Sequence, residues 1–176
     1  MEIPIQRAYD CKEEEEQMGM IGFLKRIDRQ RLAALIEGKE DLYTYIHEEE
    51  GGELDLDKAW QGLHYLLCKD PFGGEGPLAE ALMGGKPINE HEQEDIIVRY
   101  LTPEQVREVA EALAEIEIQQ LTDNFDPDDM NDAPVYPASD WNDEGELDYL
   151  LGYYPPMRDH YQAAAEAGEG MLIYVA

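Results

Sequence analysis

Cysteine is scarce in this sequence, with only Cys11 and Cys68 among 176 residues. One lies in an expected tail and the other on an expected helix, so they form neither a disulfide framework nor a cysteine-rich zinc site. We therefore expect both thiols to be reduced. The first residues also lack the basic start and apolar stretch of a secretory signal, and together these features predict a cytoplasmic protein.

Basic residues are few as well: 13 Lys and Arg stand against 41 Asp and Glu, which gives a formal net charge of −28. Such a surface repels nucleic acids and anionic lipids, because binding to either depends on clustered Lys and Arg. No apolar run approaches the roughly 18 to 20 residues needed to cross a bilayer. We expect no nucleic acid and no membrane as partners. Two interpretations of the charge stay open, namely solubility and attraction of a basic protein.

Three short apolar stretches predict strands near residues 20–26, 96–101 and 171–175. Between them, apolar residues at helical spacing predict several helices, one of which follows the cap Asp28 and another the capping sequence that begins at Thr102. We expect the helix after Thr102 to run to about Phe125, Asp57 to cap a central helix that ends at Cys68, and Pro155-Pro156 to break the helix that begins near Glu146. Residues 126–145 read as a polar loop.

These elements predict a single α+β domain, mainly helical, with a small sheet of about three or more strands and its two ends close together. The domain is expected to cover residues 18–176. Residues 1–17 include four consecutive glutamates and little that could pack, so they are expected to form an acidic N-terminal tail.

The central helix carries the first candidate site, since Trp60 and His64 lie one turn apart on it. His64 could serve as a base or as a hydrogen-bonded orienting group, but no motif pairs it with a nucleophile, and a core histidine is the commoner case. Aromatic residues near acidic ones suit a protein interface, although core packing is their commoner use. The candidate ligand-binding or partner-binding residues are Trp60, His64, Trp141, Tyr149, Tyr153 and Tyr161.

Cofactor and metal motifs are weak or missing in the sequence. Residues 140–148 place oxygen ligands as in a calcium loop, but Leu151 stands where the bidentate glutamate would be required. No histidine pair has zinc-ligand spacing, and neither glycine cluster matches a phosphate-binding loop. We therefore expect no cofactor, no metal ion and no assignable catalytic residue.

Several segments together resemble the YfbM-like bacterial family, a domain of unknown function. They are Met18-Gly19-Met20-Ile21-Gly22, the stretch from Asp55 through Trp60 to His64, Val135-Tyr136-Pro137, Tyr161, and the closing Gly170-Met171-Leu172-Ile173-Tyr174. The resemblance covers residues 18–176. It implies a compact α+β fold in the bacterial cytoplasm, and it carries over no reaction and no catalytic residue.

Charge and the missing catalytic motifs favour a non-enzymatic protein-binding module, such as an immunity or inhibitor protein that neutralises a basic toxin. The alternative is a small enzyme or ligand-binding domain with a pocket near Trp60 and His64. The sequence leaves the oligomeric state open.

Overall fold

The computed structural model describes residues 19–88, 96–137 and 140–176, so the expected tail of residues 1–17 lies outside the described residues. In these ranges the strands are β1 (Gly22–Ile27), β2 (Glu53–Asp55), β3 (Lys86–Pro87), β4 (Arg99–Leu101) and β5 (Gly170–Val175). The helices are α1 (Arg29–Ile36), α2 (Leu42–Glu48), α3 (Trp60–Cys68), α4 (Pro77–Met83), α5 (Pro103–Ala114), α6 (Ile118–Asn124), α7 (Pro127–Asp132) and α8 (Glu146–Ala167). The prediction of a mainly helical, single α+β domain is confirmed.

The strands form one antiparallel sheet in the order β2-β1-β5-β4-β3. The three predicted strands are its three central members, and β2 and β3 extend it at the two edges. Ile21 and Ala176 exchange two main-chain hydrogen bonds of 2.8 and 3.0 Å beside the β1–β5 pair. This contact confirms that the two ends of the domain lie close together.

Helices cover both faces of the sheet. The side chains of β5 show this, because they alternate between two apolar clusters, one on each face. Met171 and Ile173 belong to the larger cluster, which includes buried residues of α3, α4, α5 and α8. Leu172 and Tyr174 belong to the smaller cluster, which includes buried residues of α1 and α2. The period of two residues is that of a strand buried on both sides.

Two predicted helix caps are present, and a third is not. The Asp28 carboxylate accepts from the first amides of α1, and Thr102 forms a capping box with Gln105 at the start of α5. Asp57 lies instead in a short 3-10 turn before α3, with a φ of 47°. Its own amide donates to the carboxylate of Asp55 over 2.6 Å, which fixes the turn and leaves the Asp57 side chain free to make another contact.

The predicted break at Pro155-Pro156 is wrong, since α8 runs through both prolines as a single helix of 22 residues. Each proline removes one helical hydrogen bond and usually bends or ends a helix. Here Tyr154 and Met157 are fully buried on either side of the pair, and the Tyr154 hydroxyl donates to the main-chain oxygen of Leu113 over 2.6 Å. Packing onto α5 therefore outweighs the free-energy cost of the helical hydrogen bonds that the two prolines remove.

The helix expected from Thr102 to about Phe125 is divided into α5 and α6. The amide of Ile116 bonds back only three residues, to Leu113, and Glu117 adopts an extended conformation before α6 begins. The expected loop of residues 126–145 also contains a helix, α7, which the Asp126 carboxylate caps. Residues 126–145 were predicted to be a loop because this stretch has many acidic and few apolar residues, so no helical apolar pattern is visible in it.

No helix within the described ranges combines the length and the apolar character that a bilayer span requires. The longest helix, α8, contains Asp, Glu and Arg along its length.

Candidate functional site

Two of the candidate site residues are core residues. Trp141 is 1% exposed, its amide donates to the side-chain oxygen of Asn131 over 3.0 Å, and its ring lies within the larger cluster. Tyr161 is fully buried, and its hydroxyl donates to the main-chain oxygen of Ala81 over 2.6 Å. Their burial gives them a packing role and withholds both side chains from a partner, in contrast to the role expected from the sequence.

Trp60 lines an open apolar groove of about 570 Å³ beside strands β4 and β5 and the end of α4. Its indole nitrogen donates to the main-chain oxygen of Met20 over 3.0 Å, and its ring stacks on Tyr136 at 5.8 Å. Met20 and Ile97, which also line the groove, are 47% and 59% exposed. The groove therefore offers apolar surface to solvent.

Gly22 allows Trp60 to lie against β1. A Cβ atom at position 22 would stand 2.6 Å from the Cβ of Trp60, which is closer than real Cβ atoms approach. The three nearest atoms to such a Cβ all belong to the side chain of Trp60. Glycine at this position therefore leaves room for Trp60, whose side chain forms one wall of the groove.

His64 lies in a different place from Trp60, although only one turn of α3 separates them. It is fully buried, its Nε2 atom lies 2.7 Å from the main-chain oxygen of Gly73, and it lines a separate cavity of about 210 Å³. Burial lowers the pKa of His64 from its ordinary value of 6.5, while the contacts with Gly73 and Asp70 act in the opposite direction. The expected pocket shared by Trp60 and His64 is thus two cavities, both bordered by Met83.

Cys68 follows His64 by one turn and is half-buried. Burial, followed by the nearby charge of Asp70, raises the pKa of the Cys68 thiol to about 11. A thiol in this state is a poor nucleophile at neutral pH, because the thiolate is the reactive form. The pair therefore lacks the electrostatics of a cysteine–histidine nucleophile.

Tyr149 and Tyr153 form a half-buried aromatic pair on α8, with ring centroids 5.3 Å apart and an edge-to-face arrangement. The Tyr149 hydroxyl donates to the carboxylate of Asp57 over 3.0 Å. Burial raises the pKa of Tyr149, and the hydrogen bond to Asp57 raises it further. Of the six candidates, these two and Trp60 retain partly exposed surface.

A larger feature escaped the interpretation of the sequence: residues 108–157 contain no Lys or Arg and fourteen acidic residues. We call this stretch the acidic segment. Thirteen of its acidic residues are exposed, and Glu146 is partly so. They are Glu108, Glu111, Glu115, Glu117, Asp123, Asp126, Asp128, Asp129, Asp132, Asp140, Asp143, Glu144, Glu146 and Asp148. A count of charge by window, rather than over the whole chain, would have found it.

Hydrogen bonds attach the acidic segment to α3 and to itself. Asn124 of α6 donates to the main-chain oxygen of Leu66 over 2.8 Å, and Asp129 of α7 accepts from the hydroxyl of Tyr65. Asn131 donates to the carboxylate of Asp140 over 3.0 Å. Hydrogen bonds from Asn142 and then Asn131 hold the pKa of Asp140 below its ordinary value. The acidic side chains are thus displayed by ordered backbone.

Ion pairs among the described residues do not neutralise the acidic segment. In residues 19–88, 96–137 and 140–176, every ion pair uses an acidic residue from another part of the chain. Arg31, for example, pairs with Glu40 and Glu49, and Arg26 pairs with Glu169. The negative charge of the segment is therefore left for solvent, counterions or a partner.

The part of the chain that the structure describes holds no group of three or more His, Cys, Asp or Glu side chains arranged to bind a metal ion. In the calcium-like stretch, the Asp140 carboxylate accepts from the amide of Asn142 over 3.0 Å, so it serves the turn itself.

Comparisons with known proteins agree with the fold and are silent on function. The model of the family described as "Domain of unknown function (DUF1877)" matches residues 18–174. Protein YfbM of Escherichia coli (strain K12) is 32% identical over 139 residues, covering 73% of this chain and 80% of that protein. The crystal structure of YfbM from Escherichia coli, titled a protein of unknown function, superposes with a TM-score of 0.69 at 22% identity, covering 89% of this chain and 100% of that chain.

Proposed function

This chain belongs to the DUF1877 family, and within it we propose that the protein is a non-enzymatic protein-binding module that uses the acidic segment to hold a basic partner. The observation that carries the proposal is the concentration of fourteen acidic residues in a stretch without Lys or Arg, none of which forms an ion pair with another described residue. A field of one sign accelerates the encounter with an oppositely charged protein and disfavours wrong partners.

The class of partner follows from the same charge. A basic toxin domain is a suitable target, because a tightly bound acidic protein covers the positive surface that such a domain uses against nucleic acid or membrane. We therefore propose an immunity or inhibitor role in the cytoplasm, a location that suits a chain with only two cysteines and no disulfide framework. Tyr149 and Tyr153 supply aromatic surface beside Asp57, which suits the anchor of such an interface.

Affinity purification of the tagged protein from its own cells tests this proposal. Elution at low and at moderate salt, followed by mass spectrometry, separates partners held by charge from those held by apolar contact. We expect a basic protein that is recovered at low salt and lost at moderate salt. Recovery of no basic protein at either salt concentration would remove the proposal.

The groove beside Trp60 favours a second candidate, a domain that binds a small apolar ligand. Its volume of about 570 Å³ falls in the range of about 300 to 1,000 Å³ that is typical of ligand sites. Arg99 lines it as well, but one of its guanidinium nitrogens already donates to the main-chain oxygen of Met83 over 2.9 Å. Apolar contact with Trp60 and its neighbours would thus supply most of the affinity.

Tryptophan fluorescence distinguishes this candidate, because the protein has only two tryptophans and Trp141 is buried. An apolar probe such as anilinonaphthalene sulfonate, bound in the groove, should quench Trp60 in a saturable titration. Trp60→Phe should abolish that quenching and leave the emission of Trp141. Equal quenching of wild type and variant would show that the probe binds elsewhere.

A further inference from the structure

The groove beside Trp60 crosses three neighbouring strands on one face of the sheet. Trp60 lies against Gly22 of β1, while Ile173 of β5 and Arg99 of β4 line the groove as well. Arg99 and Ile173 are direct cross-strand partners, so their side chains project from the same face. Because β5 lies between β1 and β4, and neighbouring strands are about 4.8 Å apart, the floor of the groove is about 10 Å wide. Trp60 and Arg99 therefore stand at its opposite sides.

The wall of the groove is apolar and carries no acidic side chain among the described residues. Met20, Leu82 and Ile97 line it together with Trp60 and Ile173. The chain has 41 acidic residues, so a described lining without Asp or Glu is a local departure from its composition. An anion that enters the groove thus meets no carboxylate side chain of this lining.

Arg99 is the only Lys or Arg among the described residues that line the groove. One of its guanidinium nitrogens donates to the main-chain oxygen of Met83 over 2.9 Å, at the end of α4 where helical carbonyl groups lack partners. The bond places the guanidinium beside Met83, which also lines the groove. Arg99 is exposed, and among the described residues it forms no ion pair, whereas Arg26 and Arg31 pair with glutamates. A guanidinium has five N–H donors, so donors remain for a ligand.

An apolar groove with a guanidinium at one side matches a molecule that has an apolar chain and an anionic head group. Arginine binds carboxylates through two parallel N–H···O bonds, which makes it selective for this head group. We propose that the groove binds a free medium-chain fatty acid, with its chain against Trp60 and its carboxylate at Arg99. The inference rests on the second candidate function given above, the binding of an apolar ligand in this groove, and it adds the class of that ligand.

The net charge of the protein has less influence on a bound anion than Arg99 has. At physiological ionic strength, exposed charges farther apart than about 8 Å are largely screened from each other. A cationic amphiphile is a poorer match, since its head group would meet the guanidinium as a like charge. An anionic bilayer is a poorer source of the chain, because a protein with a net charge of −28 is repelled over the whole area of contact. A single dissolved fatty acid avoids that repulsion.

Titration of the full chain with octanoate and with 1-octanol tests the proposal, with tryptophan emission as the readout and about 0.15 M sodium chloride as the screening salt. The same titrations of Trp60→Phe identify the part of the signal that comes from Trp60. We expect both compounds to change the emission of Trp60 in a saturable way. No change with either compound would overturn this inference and the second candidate function together.

The variant Arg99→Gln separates recognition of the head group from binding in the groove. Glutamine keeps an N–H donor for the main-chain oxygen of Met83 and loses the charge, so octanoate should bind about fivefold more weakly while 1-octanol binds as before. Arg107→Gln is the matched control, because Arg107 is exposed and does not line the groove. Equal octanoate affinities for the two variants would overturn the fatty-acid assignment, and binding of 1-octanol would then leave the apolar-ligand function standing.

The length of the chain supplies the second measurement. Each methylene group that the groove buries should strengthen binding about fourfold, so octanoate should bind about fifteenfold more tightly than hexanoate. Equal affinities for hexanoate and octanoate would show that Arg99 binds the carboxylate alone, and they would overturn the proposal.

Discussion

The Nε2 atom of His64 donates to the main-chain oxygen of Gly73 over 2.7 Å, and this contact ties the centre of α3 to the loop before α4. The carboxylate of Asp70 accepts from the amides of Phe72 and Gly73 over 2.9 and 2.7 Å, which holds the same loop from its other end. The imidazole is thus part of the protein's internal framework. Substitutions at His64 are expected to affect folding stability as well as the neighbouring cavity.

The pH dependence of stability should report His64. Because burial lowers its pKa from 6.5, the folded state resists the proton that the unfolded state takes up. The stabilisation is complete above about pH 6.5 and is lost as the pH falls below it, by at most about 1.4 kcal/mol per pH unit. Urea unfolding between pH 7.5 and 5 should show a steeper loss in the wild type than in His64→Gln.

His47→Gln is the matched control for that series, because His47 is exposed. The control should keep the pH slope of the wild type, including the contribution of His160, whose pKa burial also lowers. Identical slopes for wild type and His64→Gln would contradict the assignment of a buried neutral imidazole.

Replacement of Gly22 by valine should displace Trp60 from β1. The new Cβ would stand 2.6 Å from the Trp60 Cβ, and overpacking of this kind costs about 1 to 3 kcal/mol. Urea unfolding measures the loss of stability, and the emission of Trp60 should shift because its hydrogen bond to Met20 is strained.

Gly152→Ala is the control, since a Cβ at this exposed helical position meets nothing, and it should stabilise the protein by about 0.5 to 1 kcal/mol. Equal effects of the two variants would contradict the close contact.

Tyr161→Phe should reduce stability without affecting partner binding. The change removes the 2.6 Å hydrogen bond to Ala81 and leaves a buried carbonyl oxygen unpaired, at a cost of about 1 to 3 kcal/mol. Tyr43→Phe, at an exposed position, should change stability by less than about 0.5 kcal/mol. Thermal unfolding compares the two, and recovery of the partner by Tyr161→Phe at the wild-type level would agree with a core role. Lost partner recovery in a folded Tyr161→Phe protein would contradict it.

Cys68 should react slowly with alkylating reagents while the protein is folded. Its pKa of about 11 leaves about a hundredfold less thiolate at pH 7.5 than the ordinary value of 9.0 would. Iodoacetamide labelling of a Cys11→Ser variant, followed by intact mass, should be at least tenfold slower in buffer than in urea. Equal rates in both solvents would show that Cys68 is exposed and unperturbed.

Apolar periodicity and capping residues predicted much of the fold, because these features lie within or next to the helices and strands that they define. Asp28 and Thr102 cap the helices that they were expected to cap. Pro155 and Pro156 were misread since their tolerance depends on the packing of Tyr154 against α5, a contact with Leu113 that local sequence does not contain.

The candidate site was harder to predict for a similar reason. Trp60 and Trp141 are both tryptophans close to acidic residues in sequence, yet Trp60 lines a groove and Trp141 is buried in the larger core cluster. Only tertiary packing distinguishes the two positions. The unpaired nitrogen of His64 depends on Gly73, whose carbonyl approaches the ring only after the loop has folded back on α3. The acidic segment was accessible from sequence, but a charge summed over the whole chain concealed it.

The most direct test of the acidic segment as a binding surface compares two triple variants in the same affinity purification. The first carries Glu115→Gln, Glu117→Gln and Glu144→Gln, which lie in the segment, and the second carries Glu48→Gln, Glu50→Gln and Glu166→Gln, which lie outside it. All six glutamates are exposed, and both variants lose the same charge. Each exposed charge pair contributes about 0.2 to 1 kcal/mol, so the first variant should bind its basic partner about tenfold more weakly. The account predicts that the second variant recovers the partner as the wild type does, whereas equal recovery by both variants, or equal loss, would contradict it.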